Sequence, residues 1–142
     1  MIAVFDACVL VKLFLEEADS ELAETVTRTA DILMLPDIAA IEVASAITRS
    51  HRTSGLSAED ANGQLQKWHQ FLGLSTVRVT PFTELLPAAE RLSLELRHPL
   101  PDCLYLALAV RENVPFITAD RPLADAARDA VPQLRPLSSY AD

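Results

Sequence analysis

The chain has 142 residues, half of them hydrophobic, and its 20 acids against 12 bases leave a net charge of −8. That is enough apolar chain for one domain over residues 1–142 with a substantial core, and it excludes a disordered segment. No apolar run has the length of a membrane helix. Met1–Phe5 is interrupted by Asp6 with no basic stretch before it, so neither an anchor nor a signal peptide is expected and the chain reads as cytoplasmic.

Ile2–Phe5 is a short apolar run that predicts a buried strand ending at Asp6. A helical stretch over Cys8–Leu15 follows, and a second begins around Ser20. Ile32–Leu35 predicts another strand, closed by Pro36. Asp37 is expected to cap an apolar helix running to about Arg52, with Gly55 as its stop. Ser57 with Asp60 resembles a capping box, and the helix it opens carries Leu65, Trp68 and Leu72 on one face. That stripe reads as core, or as a face for a partner's helix. Thr76–Thr80 predicts a strand ended by Pro81, and Glu84–Arg97 a helix. Pro101 and Asp102 open an apolar helix to about Glu112. Phe116–Thr118 is a strand, Asp120 caps a helix near Leu123–Asp129, and Leu134–Leu137 reads as an edge strand. Strands alternating with helices imply a three-layer α/β/α sandwich around a mostly parallel sheet.

Cys8 and Cys103 are too few for a disulfide framework, lack zinc-ligand spacing and read as small buried thiols. His51, His69 and His98 also lack ligand spacing and read as surface or structural residues. The bases are ten arginines with Lys12 and Lys67, a bias that suits phosphate or carboxylate recognition. No basic stripe is visible. A nucleic-acid substrate would therefore need bound cations or a short contact.

In a parallel α/β sheet the working site lies beyond the carboxyl ends of the strands. Asp6 ends the first strand, and Asp120 lies two residues past Thr118. Glu42 is in the first turns of the helix that follows Leu35. The helix before a parallel strand runs back across the sheet, so its start, with Asp102, stands at the same edge. Glu42 and Asp102 are acids in otherwise apolar segments, where charges need partners. Asp6, Asp102 and Asp120 each also fit an ordinary helix cap; Glu42, inside its helix, does not. Four converging carboxylates would repel unless protonated or neutralised, and Mg²⁺ or Mn²⁺ neutralises them well and can activate water against a phosphodiester.

Asp6-Ala7-Cys8-Val9 after the first strand, Glu42 in the next apolar helix, Pro101-Asp102-Cys103-Leu104-Tyr105-Leu106-Ala107-Leu108-Ala109, and Thr118-Ala119-Asp120 with Leu123 together resemble a PIN domain over essentially the whole chain. The size resembles the VapC toxins of bacterial toxin–antitoxin pairs. The resemblance implies a three-layer sandwich, Mg²⁺- or Mn²⁺-dependent endoribonuclease activity on RNA, a homodimer and inhibition by a small VapB-like antitoxin. It carries over Asp6, Glu42, Asp102 and Asp120 as the acidic, metal-holding positions and Thr118 as the polar neighbour that orders them. Cys8 stands where the family often has Ser or Thr. Arg121 is either a phosphate contact or a solvated helix-start residue.

Two other modules gather acids at strand ends. A receiver-type phospho-acceptor needs an acidic pair at the first strand and a late lysine; this chain has one acid there and no lysine after Lys67. A haloacid-dehalogenase-like phosphatase needs a second Asp where this chain has Cys8. A third reading is a PIN-like fold that only binds proteins, without catalysis.

Overall fold

In a computed structural model describing residues 1–142, seven α-helices surround a five-stranded, fully parallel sheet. In chain order these are β1 (Ile2–Phe5), α1 (Ala7–Val11), α2 (Ser20–Arg28), β2 (Ile32–Pro36), α3 (Ile38–Thr53) and α4 (Ala58–Leu72). They continue with β3 (Val77–Thr80), α5 (Phe82–Leu96), α6 (Leu100–Glu112), β4 (Phe116–Thr118), α7 (Arg121–Ala127) and β5 (Leu134–Pro136), then a 3₁₀ turn over Leu137–Tyr140. No helix is long and apolar enough to cross a membrane.

The strand order is β3-β2-β1-β4-β5. Succession runs from β1 outward through β2 to β3, then jumps across to β4 and on to β5. Right-handed crossovers reverse face at that jump. The helices divide accordingly: α1 and α4 both pack on α3, while α5 packs on α6, which also covers β1, β2 and β4. The gap between β1 and β4 is thus the topological switch point, where a crevice opens at the carboxyl ends. The register fixes what meets there. Val4 and Phe5 pair with Phe116 and Ile117, and the Asp6 N–H extends the ladder to the Ile117 carbonyl at 2.9 Å. Asp6 and Thr118 therefore leave adjacent strands side by side.

Apolar residues from both layers form one core of 34 buried side chains, dense in β1, β4 and α6. Cys103 is inside it, as a small hydrophobe, and Cys8 is half-buried. Trp68 is fully buried, donates its indole N–H to the Ala40 carbonyl at 3.0 Å and stacks on Phe71. Leu65 and Leu72 are half-buried against the core on the same face.

Two local expectations need correction. The first helix is shorter than Cys8–Leu15, because after Val11 the chain continues as turns. Pro101 and Asp102 stand in the opening turn of α6, which starts one residue earlier, at Leu100. Asp37 precedes α3 but makes no side-chain cap there. Its Oδ1 accepts the N–H of Phe82, the first residue of α5, at 2.9 Å. The helix capped by Asp37 is thus one 45 residues away in sequence, reached because β2 and β3 pair through Pro36 and Thr80. The Ser57 expectation holds in its first half: Ser57 Oγ accepts the Asp60 N–H at 3.0 Å.

Replacing Asp37 by Ala should orphan the Phe82 N–H and lower stability by about 1 kcal/mol. Urea unfolding should show a lower midpoint at an unchanged slope. An unchanged midpoint would mean that water replaces the contact without loss.

Candidate active site

Asp6 emerges from β1 only 5% exposed. It occupies the position before α1, yet its carboxylate makes no cap bond to that helix. The Thr118 hydroxyl, at the end of β4, donates to Asp6 Oδ2 at 2.7 Å instead. The same hydroxyl oxygen accepts the Asp120 N–H at 2.9 Å. One side chain thereby orders the end of β1 and the turn into α7. Cys8 completes this floor: its sulfur accepts the Ala119 N–H at 3.4 Å and lies 3.7 Å from the Thr118 hydroxyl. Burial, then the charge of Asp6, pushes the Cys8 thiol well above its ordinary range, so it is no thiolate.

The other acids arrive from helices. Glu42 lies on α3 and Asp102 on α6. Tyr105, one turn after Asp102, donates its hydroxyl to Glu42 Oε1 at 2.5 Å. His98, one turn before Asp102, places Nε2 2.7 Å from Asp102 Oδ2. Asp120 is a true helix cap, its Oδ1 accepting the Leu123 N–H at 3.1 Å. Each of the four carboxylates thus has one oxygen held by the protein's own N–H or O–H donor and a second that accepts from no N–H or hydroxyl of the chain.

Electrostatics separates a tight set from an outlier. Burial is the main force raising Asp6 from the ordinary 3.8 to about 6; Thr118 opposes it, and the charges of Asp102 and Glu42 add to it. Glu42 is raised by burial and by Asp102, against the Tyr105 hydrogen bond. Asp6, Glu42 and Asp102 therefore feel one another as like charges. Asp120 joins them through backbone and hydroxyl, by way of Thr118.

No lysine or arginine pairs with any of the four acids, and His98 is the one basic side chain in contact. No three of these side chains converge closely enough to enclose an ion as they stand. Their chemistry does fit a hard divalent cation: all donors are carboxylate oxygens, each with one oxygen unheld, and the negative charge is uncompensated.

Two clefts flank the cluster. One, about 670 Å³, runs between α1 and α3 beside Glu42 and Cys8; the other, about 290 Å³, lies over Thr118, Asp120 and the start of α7. They share Ala119 as a common wall.

Residues 3–129 match the PIN domain family. This chain is a PIN-domain protein. It is 31% identical over 122 residues to Ribonuclease VapC3 of Pyrobaculum aerophilum, across 86% of this chain and 92% of that one. Among solved structures, a toxin-antitoxin complex from Klebsiella pneumoniae aligns with TM-score 0.70 at 20% identity, over 95% of this chain and 97% of that one. Mycobacterium tuberculosis VapC20, a sarcin-ricin loop cleaving toxin, aligns with TM-score 0.69 at 13% identity, over 94% of this chain and 99% of that one. At these identities the solved structures establish the shared PIN fold.

Sequence reasoning placed the four acids and Thr118 at one edge but missed Tyr105 and His98. Tyr105 carried a signal: a phenol in the otherwise apolar run Cys103–Val110 needs a partner for its hydroxyl. His98 carried one too, at the i, i+4 spacing from Asp102 that brings side chains together on a helix. Of the surface and structural readings of His98, the structural one fits, its side chain being 13% exposed and bonded to Asp102.

The raised pKa of Asp6 has a defined consequence without metal. Between pH 3.8 and about 6 the native state keeps a proton that the unfolded chain has lost. Stability is therefore full below that window and is lost as pH rises through it, by about 3 kcal/mol. Asp6→Asn, which preserves an oxygen for Thr118, should remove this fall and leave the metal-free protein more stable at pH 7. Urea midpoints in EDTA across pH 4–8 test it; parallel wild-type and mutant curves would contradict it.

Proposed function

We propose that this PIN-domain protein is a Mg²⁺- or Mn²⁺-dependent endoribonuclease of the VapC kind, the toxin of a toxin–antitoxin pair. The observation that carries the reading is the uncompensated trio Asp6, Glu42 and Asp102 at the switch point. It occurs in a chain 31% identical to a ribonuclease over 92% of that protein's length. Asp6, Glu42 and Asp102 would hold the metal, with Asp120 at its margin; Thr118 orders Asp6 and the Asp120 turn. Bound there, a divalent ion supplies an activated water and charge stabilisation for phosphate.

The protein's own part is orientation. Tyr105 keeps its proton, because burial and the charge of Glu42 both push its pKa up, so it remains a donor to Glu42. His98 holds Asp102 from the other side. Each acid is left with one oriented oxygen to present, the arrangement that outer donors give to metal-binding carboxylates. Burial of Asp6 lowers the local dielectric, which strengthens its pull on a cation. The partners in this reading are RNA as substrate, a second copy of the chain, and a small VapB-like antitoxin whose basic tail would suit the acidic cluster.

Purified protein should cut single-stranded RNA with Mg²⁺ or Mn²⁺ and stop in EDTA, and Asp102→Asn should abolish cutting while retaining the native circular dichroism. Full activity in EDTA or in that variant would overturn the reading. No activity under any metal would leave a binding module.

Tyr105→Phe keeps the ring in the core and removes one hydroxyl. Mn²⁺ affinity, read by titration calorimetry, should fall on the order of tenfold, with the melting temperature of the metal-free protein little changed. An unaltered affinity would mean that Glu42 is positioned without Tyr105, or does not meet the ion.

A further inference from the structure

The chain carries 12 basic residues in a net charge of −8. Four of them, Lys12, Arg49, Arg121 and Arg128, line the two clefts beside the acids. Two of these four are tied up. Lys12 donates to the Ala18 carbonyl at 2.7 Å and lies 3.6 Å from Glu17. Arg128 pairs with Asp125 at 3.0 Å.

Arg49 and Arg121 have no ion pair or side-chain hydrogen bond within the chain, and they stand one in each cleft. The placement follows from the elements. Arg49 is seven residues after Glu42 on α3, two turns along the same helix face. Arg121 is the first residue of α7, directly after Asp120. Ala119 is common to both cleft walls, so one continuous surface leads from Arg49, past Glu42 and Asp120, to Arg121.

We propose that Arg49 and Arg121 grip backbone phosphates on either side of the acidic cluster, so that a single-stranded polynucleotide lies across Ala119. The inference rests on the nuclease reading and extends it to how substrate is held. An acidic cluster repels a polyanion, and a metal offsets that only at the cut itself. The flanking phosphates need cations of their own, and a guanidinium fork matches a phosphate's paired oxygens. Ile41, 68% exposed on the wall beside Glu42, gives an unstacked base an apolar surface, as single strands allow and duplexes do not. Contacts of this kind position the chain without reading sequence.

The test uses purified wild type, Arg49→Ala, Arg121→Ala, the double variant and the matching Lys variants. Fluorescence anisotropy measures binding of a labelled single-stranded RNA in the non-cutting Asp102→Asn background with Mg²⁺, over a range of salt. Cleavage kinetics are measured in the otherwise wild-type protein. Each Ala variant should weaken binding and raise KM by about tenfold, equally for unrelated sequences, with kcat little changed. The slope of log affinity against log salt should fall by about 0.7 per arginine removed, and Lys should restore part of the loss. Mn²⁺ affinity should stay at the wild-type value, which a merely misfolded site would not allow. An unchanged KM and salt slope in the double variant overturns the proposal. So does a defect confined to binding of a protein partner. Wild type that binds RNA but never cuts it defeats the nuclease reading alone, since anisotropy still reads the arginines; wild type that does neither defeats both.

Discussion

A carboxylate almost out of water, Asp6, meets one hydroxyl, Thr118, across the gap between two parallel strands, and the rest of the site is arranged around that contact. It exists because β4 lies next to β1 although more than 100 residues separate them in sequence. The ladder bond from the Asp6 N–H to the Ile117 carbonyl sets the two chain ends level. The hydroxyl can then give its one proton to Asp6 and still accept from the Asp120 N–H. Removing the donor would leave a buried charge with no other strong donor, a situation proteins avoid. The switch point is thus more than a place where a crevice opens. There adjacent strands deliver an acid and a hydroxyl at the same level, and the two side chains bond directly.

Helix α6 does the corresponding work from the side. Its first two turns carry Asp102 and Tyr105, and His98 sits just before it. The remainder, Cys103 to Ala109, is buried against β1, β2 and β4. A helix packed on three strands cannot shift without disturbing the core, so Asp102 inherits that rigidity. Tyr105 extends it to Glu42, which belongs to α3 in the layer on the other side of the sheet's edge. The two layers are coupled through a single phenol. Sites held on rigid elements with a second set of hydrogen bonds keep their geometry without needing the ligand to impose it.

The sequence made the sheet legible because β1, β2 and β4 are continuous apolar runs bounded by Asp, Pro or Thr, the pattern of strands covered on both faces. The four acids were legible from chain direction alone: in a parallel sheet every strand end and every returning helix start shares an edge. What a carboxylate does once there was not legible. Asp6, Asp37, Asp102 and Asp120 all precede or open a helix, yet only Asp120 caps the helix it begins. Asp6 turns to a neighbouring strand, Asp37 to a distant helix, and Asp102 to a histidine. The first two outcomes depend on partners brought close by tertiary pairing, which local preference does not encode; the third is a local contact four residues apart. Tyr105 shows the same limit from the other direction. Its need for a partner was visible in the sequence, but Glu42 as that partner, 63 residues away, follows only from the two layers meeting at the sheet's edge.

The site also departs from what a stable fold would choose. An apolar residue at position 6 would suit the end of a buried strand, and the raised pKa of Asp6 measures how poorly a charge suits it. Glu42 and Asp102 worsen the repulsion, and no arginine is recruited to relieve it, although the chain has ten. Arg49, two turns from Glu42, faces a cleft and makes no ion pair. A pair with lysine or arginine would have been easy to build, and its absence separates this cluster from the charge networks that only stabilise. Local rules broken without internal compensation are expected where an outside partner supplies it. For three crowded carboxylates, that partner must bring positive charge, and the core of 34 buried residues is what allows the fold to wait for it.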